Sequence, residues 1–96
     1  MQQIFLLEDD AALGRGISMA LCGAEQAVVL ADSIAQARQT LAKTQFDLLI
    51  LDINLPDGSG LDLLRALRSQ GNATPIILLT ANDLEMDEVT GLEAGA

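Results

Sequence analysis

The chain has 96 residues, half of them apolar and a fifth charged, with a mean hydropathy of +0.34, so it is one folded domain at most and not a disordered segment. No run of about eighteen apolar residues and no basic-then-apolar start is present, which predicts a cytoplasmic protein with neither a spanning helix nor a cleaved signal. Fourteen acids against five bases give a net charge of −9, with no histidine and a single cysteine, Cys22, so phosphate-gripping nucleic-acid contacts, Cys/His zinc sites, histidine triads and an internal disulfide are all disfavoured.

Phe5 and Phe46 are the only aromatic residues, so aliphatic side chains must fill the core and base-stacking surfaces are not expected. The first apolar run, Ile4-Phe5-Leu6-Leu7, is continuous rather than alternating, as in a strand covered on both faces. It stops at Glu8-Asp9-Asp10. Asp10 is placed to cap a helix in which Leu13, Ile17, Ala20 and Leu21 recur at helical spacing, with Gly23 as its terminator. Residues 27–31 read as a second strand. Ser33 suits the N-cap of a helix carrying Ile34, Ala37 and Leu41 on one face, and Lys43 suits its C-terminal end.

Phe46 leads into the most apolar run, Leu48-Leu49-Ile50-Leu51, which ends at Asp52. Pro56-Asp57-Gly58 after it is a turn by its chemistry. Gly58 or Ser59 then starts a helix with Leu61, Leu64 and Leu67, stopped near Gly71. Pro75 opens a fourth strand, Ile76-Ile77-Leu78-Leu79, ending at Thr80. Asp83 suits the cap of a last helix with Val89 and Leu92 on its apolar side and an acidic first turn.

Strands alternating with helices of this length imply right-handed crossovers, hence an α/β fold with a parallel sheet and helices on both faces. Ligands bind such sheets at the carboxyl ends of the strands. That edge collects Glu8, Asp9 and Asp10 after the first strand, Asp52 after the third and Thr80 after the fourth. Crowded carboxylates repel unless a cation lies among them, and the oxygen-only inventory suits Mg²⁺. A carboxylate beside a hard cation can act as a nucleophile toward phosphorus, with the Thr80 hydroxyl as a donor to the transferred group. The plainer readings are that Asp10 is a helix cap, Asp57 is turn chemistry alone and Thr80 merely ends a strand. On spacing alone, a cation site and a set of solvated acids both stay open.

Four segments carry a resemblance that runs in order along the whole chain. They are Ile4-Phe5-Leu6-Leu7-Glu8-Asp9-Asp10, then Leu51-Asp52-Ile53-Asn54-Leu55-Pro56-Asp57-Gly58-Ser59-Gly60-Leu61, then Pro75-Ile76-Ile77-Leu78-Leu79-Thr80-Ala81, and finally Gly91-Leu92-Glu93-Ala94-Gly95-Ala96. Together they closely resemble a bacterial response-regulator receiver domain, most of all the receivers of OmpR/PhoB-type winged-helix transcription regulators. The resemblance implies a flavodoxin-like (CheY-like) sheet of strand order 2-1-3-4-5, of which this chain supplies four strands, so that residues 1–96 form a receiver domain incomplete at its C-terminus.

By the same resemblance Asp52 is the phosphoacceptor, and Thr80 is the hydroxyl that contacts the phosphoryl group. Asp9 is a direct Mg²⁺ ligand, Glu8 holds the ion mainly through water, and Asn54 ligates through its backbone carbonyl. The implied partner is a sensor histidine kinase, and the implied role is a switch, not an ordinary enzyme, that assists its own phosphorylation and dephosphorylation. DNA would be contacted only through a further C-terminal domain.

The family's fifth strand and its lysine are absent from this sequence, so the resemblance also implies impaired phosphoryl transfer in the 96-residue form, and either self-association through an open sheet edge or a longer native protein that supplies the remainder. Lys43 cannot replace that lysine, since a strand of roughly 16 Å separates it from Asp52. The alternative function is a phosphorylation-independent dimerisation or interaction module on the same fold. A flavin or nucleotide binder is disfavoured because no glycine-rich loop follows the first strand, and a phosphohydrolase because the chain is short for a substrate cap.

Overall fold

The computed structural model of the chain describes residues 2–79, and the expectations for Thr80, Ala81 and the acidic last helix lie outside the described residues. The elements in order are β1 (Gln2–Leu7), α1 (Ala11–Leu21), β2 (Gln26–Ala31), α2 (Ile34–Lys43), β3 (Leu48–Asp52), the short β4 (Asn54–Leu55) and β5 (Gly58–Ser59), α3 (Gly60–Ser69) and β6 (Ile76–Leu79). The four apolar runs form one parallel sheet of order β2-β1-β3-β6. This is the flavodoxin-like order expected, with β6 as the fourth strand of the main sheet.

The continuous apolar runs of the central strands β1 and β3 arise because both sheet faces are covered there, whereas Val29 of β2 and Ile77 of β6 on the outer strands stay exposed. Phe5, Leu7, Leu49, Leu51, Ile76 and Leu78 point to one side, where they pack with Ile34 and Ala37 of α2 and Leu63, Leu64 and Leu67 of α3. Phe5 and Phe46 meet there with ring centroids 5.3 Å apart. Ile4, Leu6 and Ile50 point to the other side, where Ile17 and Leu21 of α1 lie against them. Leu64 is completely buried, so Leu64→Ala is expected to cost about 2–5 kcal/mol through lost transfer energy and the cavity left behind. A shift of the urea midpoint without a change in slope is the check, and an unchanged midpoint would show that the site collapses freely.

Helix starts follow local chemistry. The Asp10 side chain accepts from Leu13 N–H, Ser33 from Gln36 N–H and Ser59 from Leu61 N–H, so the three caps stand where side-chain oxygens are available. α3 ends as expected at Gly71, whose φ of 85° is left-handed. Arg68 then donates to the carbonyls of Asn72 and Thr74, both at 2.8 Å, and holds the connection to β6.

Three expectations need correction. α1 ends at Cys22 in an extended conformation, and Gly23 instead bridges to Gln26, so it is no left-handed terminator. Leu13 is 47% exposed and Ala20 is also exposed, because Gly14 is the one fully buried residue of α1 and lies against Leu30 of β2. The helix therefore presents Gly14, Ile17 and Leu21 to the sheet, which turns Leu13 aside. Finally, the segment after β3 is not a bare turn. β4 and β5 pair as a minimal antiparallel hairpin, and Asp57 at its tip reaches across to α2, where it accepts from Ile34 N–H at 2.7 Å and Ala35 N–H at 3.0 Å.

Candidate functional site

The order β2-β1-β3-β6 sets β1 and β3 side by side in register, Leu7 opposite Leu51. The residues that follow those two positions, Glu8 and Asp52, are thereby brought to the same sheet edge. Oxygen atoms of Glu8, Asp9 and Asp52 all lie within 4.8 Å of one another, with Glu8 and Asp52 buried and Asp9 exposed. The acids predicted from separate strand ends thus form one cluster.

Backbone donors orient the two buried carboxylates. Asp10 N–H donates to Glu8 Oε1 at 3.0 Å, and Asn54 N–H donates to Asp52 Oδ1 at 3.4 Å. Glu8 N–H itself is spent on the Ala31 carbonyl of β2, which pins the end of β1. Asp10 is therefore a cap that also hands its N–H to the cluster, and its own carboxylate serves Leu13. Asn54 is exposed at the start of β4, and Thr80 lies outside the described residues.

Electrostatics at the cluster are dominated by burial. Loss of water around Glu8 pushes its carboxyl up to about 7, against the Asp10 N–H that favours the charged form, and the neighbouring Asp52 charge adds to the rise. Burial also raises Asp52, with the Asp9 charge acting the same way, while the Asn54 N–H and a hydrogen bond from Glu8 oppose it. Each of the two buried acids thus makes the other harder to ionise alongside it. The cluster accordingly has hard oxygen donors in excess of its positive charge, which is what a divalent cation such as Mg²⁺ would correct. The residues present fit that ion.

A cleft of about 220 Å³ opens beside Glu8 and Asp9, lined also by Arg15, Leu30, Asp32 and Gln36. None of those four stands out in the sequence as a site residue. Arg15 is one exposed helical residue beside the buried Gly14, and only the packing of α1 against β2 brings it toward the acids. Asp57, read from its sequence as turn chemistry alone, has its carboxyl lowered by the two N–H groups of α2.

The family model described as the response regulator receiver domain matches residues 4–96. Among curated relatives, the response regulator protein PmrA of Pseudomonas aeruginosa is 48% identical over 94 residues, a span of 98% of this chain and 42% of that protein. The KDP operon transcriptional regulatory protein KdpE of Escherichia coli is 38% identical over 96 residues, again 42% of its length. The chain therefore spans less than half the length of these relatives. Among solved structures, the BeF3-activated N-terminal receiver domain of Klebsiella pneumoniae RstA superposes with a TM-score of 0.84 at 37% identity, covering 99% of this chain and 80% of that one. The chemotaxis response regulator CheY4 of Vibrio cholerae superposes with a TM-score of 0.85 at 28% identity, covering 100% and 82%. No described helix is long and apolar enough to cross a membrane. With sheet order, acidic edge and family match in agreement, the chain belongs to the response regulator receiver domain family of two-component signalling.

Proposed function

We propose that this receiver accepts a phosphoryl group on Asp52 from the phosphohistidine of a sensor kinase in a Mg²⁺-dependent reaction. The observation that supports it is the buried Asp52 carboxylate within 4.8 Å of Glu8 and Asp9, at the strand edge where a phosphodonor can arrive. Glu8, Asp9, Asp52 and the Asn54 backbone carbonyl would hold the ion, which supplies positive charge against the transferring phosphoryl oxygens. The Asn54 N–H fixes the plane of the Asp52 carboxylate. An Asp52 oxygen attacks phosphorus, the phosphorus–nitrogen bond of the donor breaks, and the histidine leaves with the electron pair. Burial of the nucleophile favours the reaction, because a desolvated carboxylate is a stronger nucleophile and the acyl phosphate product is protected from water. Thr80 supplies a hydroxyl to the phosphoryl group.

The chain is a switch and not an enzyme in the ordinary sense, since it acts only on its own Asp52. In the whole protein, phosphorylation regulates transcription through a DNA-binding segment outside this chain; the name of one relative, the KDP operon transcriptional regulatory protein KdpE, supports the transcriptional role. Beryllofluoride stands in for the phosphoryl group without requiring transfer. Amide NMR shifts around Asp52 are expected with Mg²⁺ and beryllofluoride together, and are expected to vanish in Asp52→Ala and without Mg²⁺. A wild-type chain that ignores the pair would overturn the proposal.

A further inference from the structure

We infer that Asp57 is a positioning residue for the acidic site, clamping the β4-β5 hairpin that carries Asn54 onto the first turn of α2; the inference rests on the Mg²⁺-dependent reading above. Its carboxylate spans 22 and 23 residues of sequence to accept from Ala35 N–H at Oδ2 and Ile34 N–H at Oδ1. With the Ser33 hydroxyl on Gln36 N–H, the first three N–H groups of α2 are all taken by side chains. The Ala35 and Gln36 groups lie at an exposed helix end that water could serve, whereas the Ile34 N–H is partly buried, so capture by a distant loop matters for the loop as much as for the helix. A carboxylate at the positive end of a helix is also electrostatically favoured.

The hairpin is fastened at both ends. At its base, Gly60 N–H donates to the Ile53 carbonyl at 2.9 Å, and Asn54 N–H reaches Asp52. At its tip, Asp57 holds α2, and Gly58 next to it lies so close to Ile34 that a Cβ there would meet Ile34 Cγ1 at 3.2 Å. Between the two lies Asn54, whose N–H orients Asp52. The same first turn of α2 faces the other side of the site. Asp32 N–H donates to Gln36 Oε1 at 3.0 Å, and both residues line the cleft that contains Glu8 and Asp9. α2 therefore serves as a strut between the β1 acids and the β3 hairpin, with Asp57 as the tie on the hairpin side.

The test compares Asp57→Ala, Asp57→Asn and Ser33→Ala in the full chain, with a stabilising osmolyte present and folding checked by circular dichroism. Mg²⁺ affinity is read by calorimetry and the Asn54 amide by NMR. Asp57→Ala is expected to bind Mg²⁺ on the order of tenfold more weakly, as loss of an outer support does, with a displaced Asn54 amide resonance. Asp57→Asn, which keeps one acceptor oxygen, should fall between it and the wild type. Ser33→Ala removes a cap at the same helix end without touching the hairpin, so it should lower stability and leave Mg²⁺ affinity alone. Wild-type affinity in either Asp57 variant overturns the inference, as does an equal loss in Ser33→Ala, which would reduce Asp57 to a helix cap. A wild-type chain that binds no Mg²⁺ instead overturns the underlying functional reading.

Discussion

Gly60→Ala is expected to destabilise the protein by roughly 3 kcal/mol or more, at the high end of overpacking costs, and to abolish Mg²⁺ and beryllofluoride binding with it. Helix propensity alone predicts the opposite sign, because alanine is favoured over glycine by about 1 kcal/mol inside a helix. The structure reverses it. A Cβ at Gly60 would overlap the Asp52 carbonyl oxygen, and it would lie 2.9 Å from the Asp52 carbonyl carbon and 3.4 Å from Ile53 Cα. All three are backbone atoms, so no rotamer change relieves the clash. Either α3 moves away from β3, which opens the packing of Leu63, Leu64 and Leu67, or the Asp52–Ile53 peptide turns and carries the Asp52 side chain with it.

Gly16→Ala is the matched control. It lies exposed in α1, and a Cβ added there would meet nothing within 4 Å, so the substitution is expected to stabilise by about 0.5–1 kcal/mol. Urea unfolding of both variants, with Mg²⁺ titration of the folded protein, checks the pair. A Gly60→Ala chain with the wild-type midpoint and Mg²⁺ affinity would mean that α3 can retreat from β3 at no cost.

Gly60 illustrates what a sequence carries and what it hides. The strands β1 and β3 are legible because burial on both faces writes itself as unbroken apolar runs, β6 because its run is equally unbroken although Ile77 on one face is exposed, and the caps at Asp10, Ser33 and Ser59 are legible because capping is a local hydrogen bond. The acids at 8, 9 and 52 could be gathered at one edge because parallel strands place every strand end on the same side. Contacts between elements leave no such trace. The Asp57 bond to α2 crosses 23 residues, and the local turn chemistry of Pro56-Asp57-Gly58 is a sufficient explanation until the two elements are seen together. β4 and β5 are two residues each, too short to show a period. The rotation of α1 that exposes Leu13 depends on Gly14 approaching Leu30, a fact about fit rather than pattern.

Without a divalent cation, the stability of the folded chain is expected to fall as pH rises from about 4.5 to about 7, and Mg²⁺ is expected to remove that fall. Burial raises Glu8 from 4.5 to about 7 and also raises Asp52 above 3.8. Between its unfolded and folded values each acid holds more protons in the folded state, so the slope of stability with pH is negative in that window. The contribution is complete below the unfolded values and is lost as pH passes through the folded ones. Asp57 has the opposite sign, since its carboxyl is lowered; its contribution is lost on acidification, below the window in question. Mg²⁺ competes with protons for these carboxylates. Its affinity should therefore rise with pH, and at saturating concentration it stabilises by the mass-action term, about 2.7 kcal/mol at a hundredfold excess over Kd. Asp52→Asn separates this local effect from the general repulsion of a chain of charge −9, because it removes one of the crowded buried acids and changes the net charge by a single unit. That variant should be more stable than wild type at pH 7 without Mg²⁺, keep the part of the slope that burial of Glu8 causes while losing the part due to Asp52, and gain little from the ion. Urea midpoints across the window, with and without millimolar MgCl₂, measure all three. A wild-type midpoint that rises through the window without Mg²⁺ would mean that Glu8 and Asp52 are hydrated well enough to ionise freely, and water would then already solvate the carboxylates whose desolvation makes a cation favourable there.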